Sequence, residues 1–469
     1  MQSVTVGSLA IVLHSHMPYV EGFGTYPFGE EWLFDAFVRS HLPVLRVADG
    51  VTVTVTPVLA DQLEADGVAD RLASFVEEFR VGSCMADAGD MEGDLGRACE
   101  VEAERYRAAL DATEGFGGDL LEAFREPAAA GRIELVASAA THAVMPMLAT
   151  DAGRELQLET GLRSHRRRFG PSAGIWLPEC AYEPALDELL AAQDIRWFCT
   201  DQSTHEPEQA ALAPVRTPAG PVALTIDWGA ISWLWSIEGY PSDPAYVDFH
   251  RESLRGARPW AISGNPYVPE AGQAVAREQA ASFVASLADR LGRYRAERGK
   301  AGLVVFAIDT ELLGHWWWEG PTWFAEVLRL APEQGIDLVT ASEAVARHEP
   351  EERPLRRSTW GEGKDLRTWD APAVADLAWA ARRLELRTLR ALGEGLEPRC
   401  AERAVRELLA LQASDWAFLD SRKQAGDYPW QRSTDHAKAL LQAIDCAAPT
   451  DPRLRNLAPD LSLTRLLRP

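Results

Sequence analysis

The chain has 469 residues, of which 46% are hydrophobic and 25% are charged, and this composition is typical of a soluble globular protein with a large core. Its formal net charge of −23 argues against nucleic acid and anionic membrane surfaces as partners, because both are negatively charged themselves. The length allows about two to four structural units, although a single α/β barrel can absorb roughly 250 residues or more.

Cysteine spacing and the N-terminal sequence both predict a cytoplasmic protein. The six cysteines form no CxxC pair, which is typical of buried thiols in a reducing compartment. The first residues, MQSVTVGSLAIVLHSH, lack the basic region and the cleavage site of a signal peptide. Their apolar stretch is too short to span a bilayer. The cysteines are Cys84, Cys99, Cys180, Cys199, Cys400 and Cys446.

Short apolar runs alternate with helical patterns over the first three quarters of the chain. Buried strands are predicted at residues 9–13, 51–56, 133–137 and 303–308, with shorter candidates at 175–177 and 197–200. Helical periodicity is found at residues 32–46, 185–193 and 271–298. This alternation predicts a parallel sheet with crossover helices, either closed or open.

Two other regions are predicted to be helical throughout. Residues 62 to about 131 are charged, rich in glutamate and without a strong strand pattern, so we expect a helical insertion after the second strand. Residues 348–357, HEPEERPLRR, combine prolines with dense charge and indicate a domain boundary. Beyond residue 369, apolar residues recur at helical spacing, which predicts a second, all-helical domain packed against the first.

The first predicted strand is followed by HSHMP, residues 14–18. Alternate residues of an extended strand project to the same side, so His14 and His16 can reach one cavity. Such a pair supplies two nitrogen ligands for a metal ion, which a carboxylate elsewhere could complete. Alternatively, the two imidazoles hydrogen-bond the hydroxyls of a sugar, or either one serves the core alone. His142 follows the third predicted strand in a comparable position.

Two carboxylates follow strands in different parts of the predicted sheet. Glu179 lies in IWLPECAY, and Asp309 comes directly after the apolar run GLVVFAI. Carboxylates at the carboxyl ends of barrel strands are where α/β enzymes place their chemistry. A facing pair suits the cleavage of a glycosidic bond, in which one group attacks C1 and the other protonates the departing oxygen. Glu183 and Glu311 are competing choices for these roles.

Aromatic residues are concentrated near these carboxylates. Sixteen tryptophans are present, and three of them follow Asp309 closely, at residues 316–318. Exposed aromatic planes hold the apolar C–H faces of sugar rings, but adjacent residues cannot all face one cleft. Residues 228–240 contain three tryptophans and Tyr240, and form either a lid over an extended ligand or a packed loop. Further candidates in the helical region are Trp360, Trp369, Asp415 and Trp416.

Taken together, these motifs closely resemble the five ordered motifs of glycoside hydrolase family 57. The first three correspond here to HSHMP, ELVASAATHAVMPML and WLPECAY. The fourth corresponds to AIDTELLGHWWWEG, and the fifth, in the helical region, to ASDWAFL. The likeness extends over nearly the whole chain and, within the family, points most strongly to the 1,4-α-glucan branching enzymes.

The resemblance implies a fold and a set of roles. The fold would be an incomplete (β/α)7 barrel at residues 1–350 with the helical insertion at about 62–131, and an all-helical domain at residues 351–469 that contributes to the glucan groove. Glu179 would be the nucleophile and Asp309 the general acid/base, with Glu311 in support. The substrate-binding residues would be His14, His16, Trp32, His142, Tyr240, Trp316, Trp360, Trp369, Asp415 and Trp416.

The implied activity is the formation of branches in an α-1,4-glucan such as amylose or a glycogen-like polysaccharide. A retaining enzyme would cleave an α-1,4 bond through a covalent glycosyl-enzyme and transfer the chain to a 6-hydroxyl, with no metal and no other cofactor. The alternatives are an α-amylase, a 4-α-glucanotransferase, a metal-dependent deacetylase-like barrel that uses His14, His16 and Asp309, and a glucan-binding protein without turnover.

Two arginines that branching members of the family usually carry are missing from this chain. Ile226 stands before Asp227 where one is expected, and Ala261 stands in PWAIS where the other is expected. A guanidinium offers a rigid fork of donors to sugar hydroxyls or carboxylates, and each replacement removes one. We therefore expect an effect on donor preference and efficiency rather than on the class of reaction.

Overall fold

The protein is described here by a computed structural model that covers residues 5–20, 29–236, 238–448 and 456–463. Its strands belong to one sheet. They are β1 (Gly7–Ser15), β2 (Val51–Val55), β3 (Ile133–Ser138), β4 (Gly174–Trp176), β5 (Trp197–Thr200), β6 (Val215–Arg216), β7 (Val222–Thr225), β8 (Gly302–Asp309) and β9 (Ile336–Leu338).

The sheet curls into an open barrel of parallel strands. Seven neighbouring strands run parallel in the order β8-β1-β2-β3-β4-β5-β7, while β6 is antiparallel to β7 and β9 pairs with β1. No pairing joins β6 to β8 among the described residues. Across this gap, the backbone N–H of Asp227 donates to the carbonyl of Val305 at 2.9 Å. The incomplete (β/α)7 barrel predicted from the sequence is therefore confirmed.

Sequence composition explains why these segments form the central strands. All nine residues of β1 are buried, and so are all five of β2, whose sequence VTVTV is entirely β-branched. Strands with helices on one side and a packed interior on the other read as continuous apolar or β-branched runs. The six predicted strands are all present, with ends shifted by no more than two residues. The strands β6, β7 and β9 were not predicted, because two to four residues carry too little pattern.

Helices connect the strands and make up the C-terminal part of the chain. Two π-helical segments, Phe37–His41 and Phe75–Val81, join α1 to α2 and α4 to α5 without a break. The helices are α1 (Glu30–Ala36), α2 (Leu42–Val47), α3 (Pro57–Leu63), α4 (Val68–Ser74), α5 (Gly82–Asp90), α6 (Asp94–Asp111), α7 (Glu122–Ala129), α8 (Asp151–Phe169), α9 (Asp187–Ala192), α10 (Trp228–Trp235), α11 (Pro269–Arg298), α12 (Gly320–Glu333), α13 (Ala341–Arg347), α14 (Arg367–Asp370), α15 (Ala375–Gly393), α16 (Pro398–Leu411), α17 (Asp415–Ser421) and α18 (Tyr428–Ile444).

The C-terminal helices are attached to the barrel beside the end of β3. The hydroxyl of Thr141 donates to the carbonyl of Leu409 at 2.5 Å, and the backbone N–H of Ser414 donates to the carbonyl of His142 at 3.1 Å. Ala143 and Ala413 form an isolated antiparallel bridge in the same place. These bonds fix the start of α17 next to the carboxyl ends of the strands.

One expectation about the cysteines is wrong. Cys400 at the start of α16 and Cys446 after α18 form a disulfide that closes a 46-residue separation, so these two are not free thiols. The other four cysteines are free and buried, as expected. Sequence spacing gave no sign of the bond, because it is the packing of α16 against α18 that brings the two ends together.

Two further features of the chain bear on its surface. Most of the aromatic segment at residues 228–240 is not a loop but the helix α10, which begins with a hydrogen bond from the Ala230 N–H to the Asp227 side chain. None of the helices in the described part of the chain is both long and apolar enough to cross a bilayer.

Candidate active site

A cavity of about 170 Å³ opens where the carboxyl ends of the strands meet α17. It collects side chains that are far apart in sequence, because neighbouring parallel strands end at the same edge of a sheet. The residues that line it are His14, His16, Met17, Pro18, Trp32, His142, Glu179, Asp309, Glu311, Trp316, Trp360, Asp415, Phe418, Leu419 and Gln424. Nine of the twelve predicted site residues are among them.

Glu179 lies just beyond β4 in a backbone conformation that is rare for a residue with a side chain. Its φ is +62°, in the left-handed region, where such strain is often found at functional sites. The carboxylate accepts hydrogen bonds from the Trp360 indole N–H and the Ser414 hydroxyl, both at 2.8 Å. Burial nevertheless raises the pKa of Glu179 to about 7, and these two bonds limit the rise.

Asp309 is the last residue of β8, which lies on the other side of β1 from β4. About 35% of its side chain remains exposed, toward the cavity that it lines. Burial raises the pKa of Asp309 to about 8, and the adjacent Glu311 carboxylate raises it further. Both carboxyl groups therefore keep their protons to higher pH than a solvent-exposed carboxyl does.

A chain of hydrogen bonds connects the two carboxyl groups. From Glu179 it runs to Ser414, then to Nδ1 of His142 at 2.9 Å, and from Nε2 of His142 to Nε2 of His14 at 3.0 Å. Nδ1 of His14 completes it with a contact of 2.9 Å to Asp309. Burial lowers the pKa of His14 to about 3 and that of His142 well below its usual value, so both rings are neutral.

The directions of these bonds follow from counting protons. Ser414 gives its only proton to the Glu179 carboxylate, so it accepts the Nδ1 proton of His142. A neutral imidazole carries one proton. Nε2 of His142 is therefore bare and accepts the Nε2 proton of His14, whose own bare Nδ1 accepts the carboxyl proton of Asp309. With Glu179 ionised, the chain is complete when Asp309 is protonated, so it couples opposite protonation states of the two carboxyl groups.

His16 lies in the same row of rings with a different partner. Its Nδ1 contacts the Thr56 hydroxyl at 3.0 Å and its Nε2 contacts the Asp415 carboxylate at 2.9 Å. Burial alone would lower the pKa of His16, but the carboxylates around it, Asp415 foremost, raise it above its ordinary value. The ring of His16 stacks on that of His142 with centroids 4.0 Å apart. His16 and Asp415 therefore form a polar pair on the barrel side of the C-terminal helices.

A second group of residues binds the Glu311 carboxylate beyond the end of β8. Glu311 accepts hydrogen bonds from Nε2 of His41 at 2.6 Å and from the His16 backbone N–H at 2.9 Å. Burial would raise the pKa of Glu311, but the bond from His41 lowers it. Ser40 donates to the carbonyl of Thr310 at 2.6 Å. Glu311 thus supports the strand end as a hydrogen-bonded carboxylate.

The supporting residues were largely missed by the sequence analysis. Ser40 and His41 lie inside a continuous helical pattern, which gives no sign that a π-helical segment will turn both toward β8. Trp176 lies within the predicted strand, and its ring stacks on His14 at 4.7 Å. Ser414 offered a weak signal, since it directly precedes Asp415 in the fifth motif.

The aromatic lining is supplied by four rings in different parts of the chain. Trp32, Trp316 and Trp360 line the cavity as expected, and Phe418 joins them. Trp316 is 42% exposed, whereas Trp317 is buried against Tyr246 and Trp323. Consecutive members of the tryptophan run therefore point in different directions, as the sequence analysis required.

Three predicted substrate-binding residues are not brought to the cavity. Trp369 and Trp416 are each 1% exposed and belong to a hydrophobic cluster beneath α17, where Trp416 donates to the carbonyl of Ala410 at 2.8 Å. Their indoles stabilise the helical domain and have no face open to a sugar. Tyr240 lies beyond α10, with its ring stacked on Trp233 at 5.8 Å.

The arrangement of the histidines does not suit the metal-site alternative. Both ring nitrogens of His14 and both of His16 have hydrogen-bond partners, which a metal ion would have to displace. Among the described residues, one group has ligand atoms close enough together for an ion: Glu397, Cys400 and Cys446. Two of its members form the disulfide, so their sulfurs are not thiolate ligands.

The structure also clarifies the two missing arginines. Asp227, which follows Ile226, is fully buried, and Nη1 of Arg290 from α11 pairs with it at 2.7 Å. An arginine from another element therefore serves this carboxylate. Ala261 is buried in a small cluster with Ala98, Val247 and Tyr267, and it does not line the cavity.

Comparison with known proteins identifies the family. Residues 106–355, more than half of the chain, match the model of glycosyl hydrolase family 57. The chain belongs to this family. Residues 377–458 of the family 57 chain also match a model described as 1,4-alpha-glucan branching enzyme, C-terminal.

Two relatives of this family 57 chain align over more than nine tenths of it. It is 30% identical to the 1,4-alpha-glucan branching enzyme of Thermococcus kodakarensis, over 92% of this chain and 72% of that protein. It is 32% identical to a protein of Mycobacterium tuberculosis named "Probable 1,4-alpha-glucan branching enzyme", over 94% of this chain and 92% of that one. The crystal structure of the branching enzyme from Pyrococcus horikoshii superimposes with a TM-score of 0.90 at 29% identity, over 99% and 97% of the two chains.

Proposed function

We propose that the protein is a 1,4-α-glucan branching enzyme that works through a covalent intermediate on Glu179. One observation carries this proposal. Glu179 and Asp309 line the same cavity, and the hydrogen-bond chain between them couples opposite protonation states of the two carboxyl groups. A retaining glycosidase requires this division of roles, with one carboxylate ionised to attack and one carboxyl protonated to donate. The relatives named above supply the substrate class.

In the first step, Glu179 attacks C1 of a glucosyl unit within an α-1,4-glucan. The bond between C1 and the glycosidic oxygen breaks, and Asp309 gives its proton to the departing oxygen. The product is a glycosyl ester on Glu179 and a free non-reducing end. Asp309 is left as a carboxylate beside His14.

In the second step, the 6-hydroxyl of a glucan chain attacks the same C1. Asp309 takes the hydroxyl proton, the ester bond to Glu179 breaks, and an α-1,6 bond forms. Two inversions at C1 preserve the α configuration. Glu179 returns to its ionised form and Asp309 to its protonated form, so the cycle closes without any other reagent.

Transfer instead of hydrolysis requires that the cavity exclude water and position the acceptor. Trp32, Trp316, Trp360 and Phe418 offer apolar faces to sugar rings on the cavity wall. We assign a lid role to α10 and the adjoining Tyr240, where Trp233 and Trp235 are 50% and 46% exposed. Large exposed indoles of this kind suit contact with an extended glucan.

The natural substrate that we favour is an amylose-like or glycogen-like chain, and we place the reaction in the cytoplasm. The four free, buried cysteines are compatible with a reducing compartment, whereas the Cys400–Cys446 disulfide is not typical of one. Cell fractionation with an antibody against the protein tests this placement. Recovery of the protein outside the cytoplasmic fraction would contradict it.

The proposed activity is tested by incubating the protein with amylose and following the reaction by proton NMR. Branching predicts growth of the α-1,6 anomeric signal without a matching increase in reducing ends. Reducing ends without α-1,6 signals would identify an amylase, and new chain lengths without either would identify a 4-α-glucanotransferase. Binding of amylose with no product would identify a glucan-binding protein.

A further inference from the structure

A second cavity, of about 560 Å³, lies between α2, α6 and α12, outside the catalytic cavity. Its lining is strongly cationic, although the chain as a whole carries a formal charge of −23. One lining residue, Glu326, is acidic, and it pairs with Arg329. The arginines that line the cavity are Arg39, Arg46, Arg105, Arg277 and Arg329.

Arg39 is the buried member of this group, and no carboxylate among the described residues forms an ion pair with it. It is 6% exposed, and neither its Nε nor its Nη1 has a hydrogen-bond partner among the described residues. The nearest carboxylates serve other groups: Asp35 accepts from Arg80 and Tyr106, and Glu102 accepts from a backbone N–H. A buried guanidinium without a partner is costly, and a bound anion would remove that cost.

Trp318 fixes the orientation of two of the guanidiniums. Arg39 lies 5.0 Å and Arg105 4.5 Å from its ring, so the indole holds both cations in place. Arg105 also faces the buried Glu319, whereas Arg46 and Arg277 are exposed at the rim. The remaining wall is apolar, and includes Val38, Leu42 and Pro321.

We propose that this cavity binds a phosphorylated small molecule, such as a sugar phosphate or a nucleotide. Arginine offers donors in a planar fork and no acceptor, which matches the oxygens of a phosphate group. A neutral glucan would bring no negative charge to this group of arginines. The apolar wall and the size of the cavity suit a phosphate that carries an organic group rather than the free ion.

The proposed site and the catalytic cavity lie on opposite sides of one short segment. Within Phe37–His41, Arg39 faces the second cavity, while Ser40 and His41 bind Thr310 and Glu311 beside Asp309. The carbonyl of Arg39 also packs on Gly314, where a Cβ would come within 2.0 Å of it. The glycine, with φ of +103°, is required for this approach.

Isothermal titration calorimetry on the full chain tests the proposal. The probes are glucose 6-phosphate, adenosine monophosphate, inorganic phosphate and glucose. We expect at least one organic phosphate to bind with a stoichiometry of one and more tightly than inorganic phosphate. Arg105→Gln and Arg277→Gln should each weaken that binding about tenfold, because each removes charge-assisted hydrogen bonds to phosphate. Arg277 is exposed at the cavity rim and Arg105 is partly exposed, so both variants should fold.

The control is Arg255→Gln, which removes an arginine that pairs with Asp87 and Asp90 away from this cavity. It should bind the probes as the unaltered protein does. The proposal is overturned if neither organic phosphate binds, if inorganic phosphate binds as tightly as both, or if Arg105→Gln and Arg277→Gln bind as well as the control. The proposal does not depend on the branching reaction, because its readout is binding alone.

Discussion

At the residue scale, Ser414 links the protonation of Glu179 to the histidines. Ser414→Ala removes one of the two hydrogen bonds that limit the rise in the pKa of Glu179. We expect the acidic limb of the kcat/KM profile to move to higher pH by about one pH unit. The sign follows because the carboxylate must be ionised to attack, and its ionised form loses a donor.

The matched control for this variant is Ser421→Ala. Ser421 is exposed on the same helix and donates to the carbonyl of Phe418, with no contact to a carboxylate. Its pH profile should superimpose on that of the unaltered protein. If the acidic limb of the Ser414→Ala profile does not move, the hydrogen-bond chain does not control the nucleophile.

Asp309 permits a second test at the same scale. Asp309→Asn removes the proton donor and should lower kcat about 10²- to 10⁴-fold on amylose. A glucosyl donor with an acidic phenol as leaving group needs little protonation, so its first step should be much less affected. Equal losses on the two substrates would exclude Asp309 as the general acid.

Much of the candidate site could be predicted at this scale, because strand ends mark it in the sequence. His14, Glu179 and Asp309 each follow or end an apolar run, and the structure places all three in one cavity. Trp369 and Trp416 could not be placed, since an indole on a helix can face either the core or the cleft. Only the packing of α14, α17 and α18 decides between these directions.

At the scale of the element, the π-helical segment Phe37–His41 supports the end of β8. His41→Leu removes the hydrogen bond to Glu311 and leaves a buried carboxylate with one donor fewer. We expect the free energy of unfolding in urea at pH 7 to fall by about 2–4 kcal/mol. Because the folded protein lowers the pKa of Glu311, this stabilisation is present above its ordinary pKa and is lost as the pH falls through the lowered value.

The difference in the free energy of unfolding between His41→Leu and the unaltered protein should therefore become smaller as the pH is reduced below about 4.5. Ser40→Ala is the control on the same segment, since Ser40 donates to a neutral carbonyl. Its deficit should not change with pH in this range. A deficit of His41→Leu that is constant with pH would show that Glu311 is not the group involved.

The order of the long strands and helices can be predicted from the sequence, but the short strands and the interruptions of helical geometry cannot. Long apolar runs such as β1 and β8 identify themselves, whereas β6 and β9 are too short to be recognised. The interruption of helical geometry at Phe37–His41 depends on tertiary contacts with Thr310 and Glu311. The sequence of α10 favours a loop, because its glycine and its tryptophans do not give a clear apolar face.

At the scale of the whole molecule, the C-terminal helices complete the active site, so their stability bears on activity. The Cys400–Cys446 disulfide closes a 46-residue separation, which corresponds to about 4 kcal/mol of chain entropy in the unfolded state. Cys400→Ser should lower the thermal midpoint and the temperature at which activity is lost, while activity well below that midpoint is retained. The bond joins the start of α16 to the segment just after α18, and neither cysteine lines the catalytic cavity.

Reductant provides the internal control for this prediction. Dithiothreitol should lower the thermal midpoint of the unaltered protein toward that of Cys400→Ser and should leave the variant unchanged. Equal midpoints for the two proteins without reductant would mean that the bond does not form or does not stabilise the fold.

The central claim is that Glu179 forms the covalent intermediate, and trapping tests it most directly. A 5-fluoro-α-glucosyl fluoride slows release of the ester more than its formation, so the glycosylated protein should accumulate and be seen by intact-mass spectrometry. Peptide mapping is predicted to place the added mass on Glu179, and Glu179→Gln should remain unlabelled and without turnover. A label on Asp309, Glu183 or Glu311, or near-normal branching by Glu179→Gln, would contradict the account.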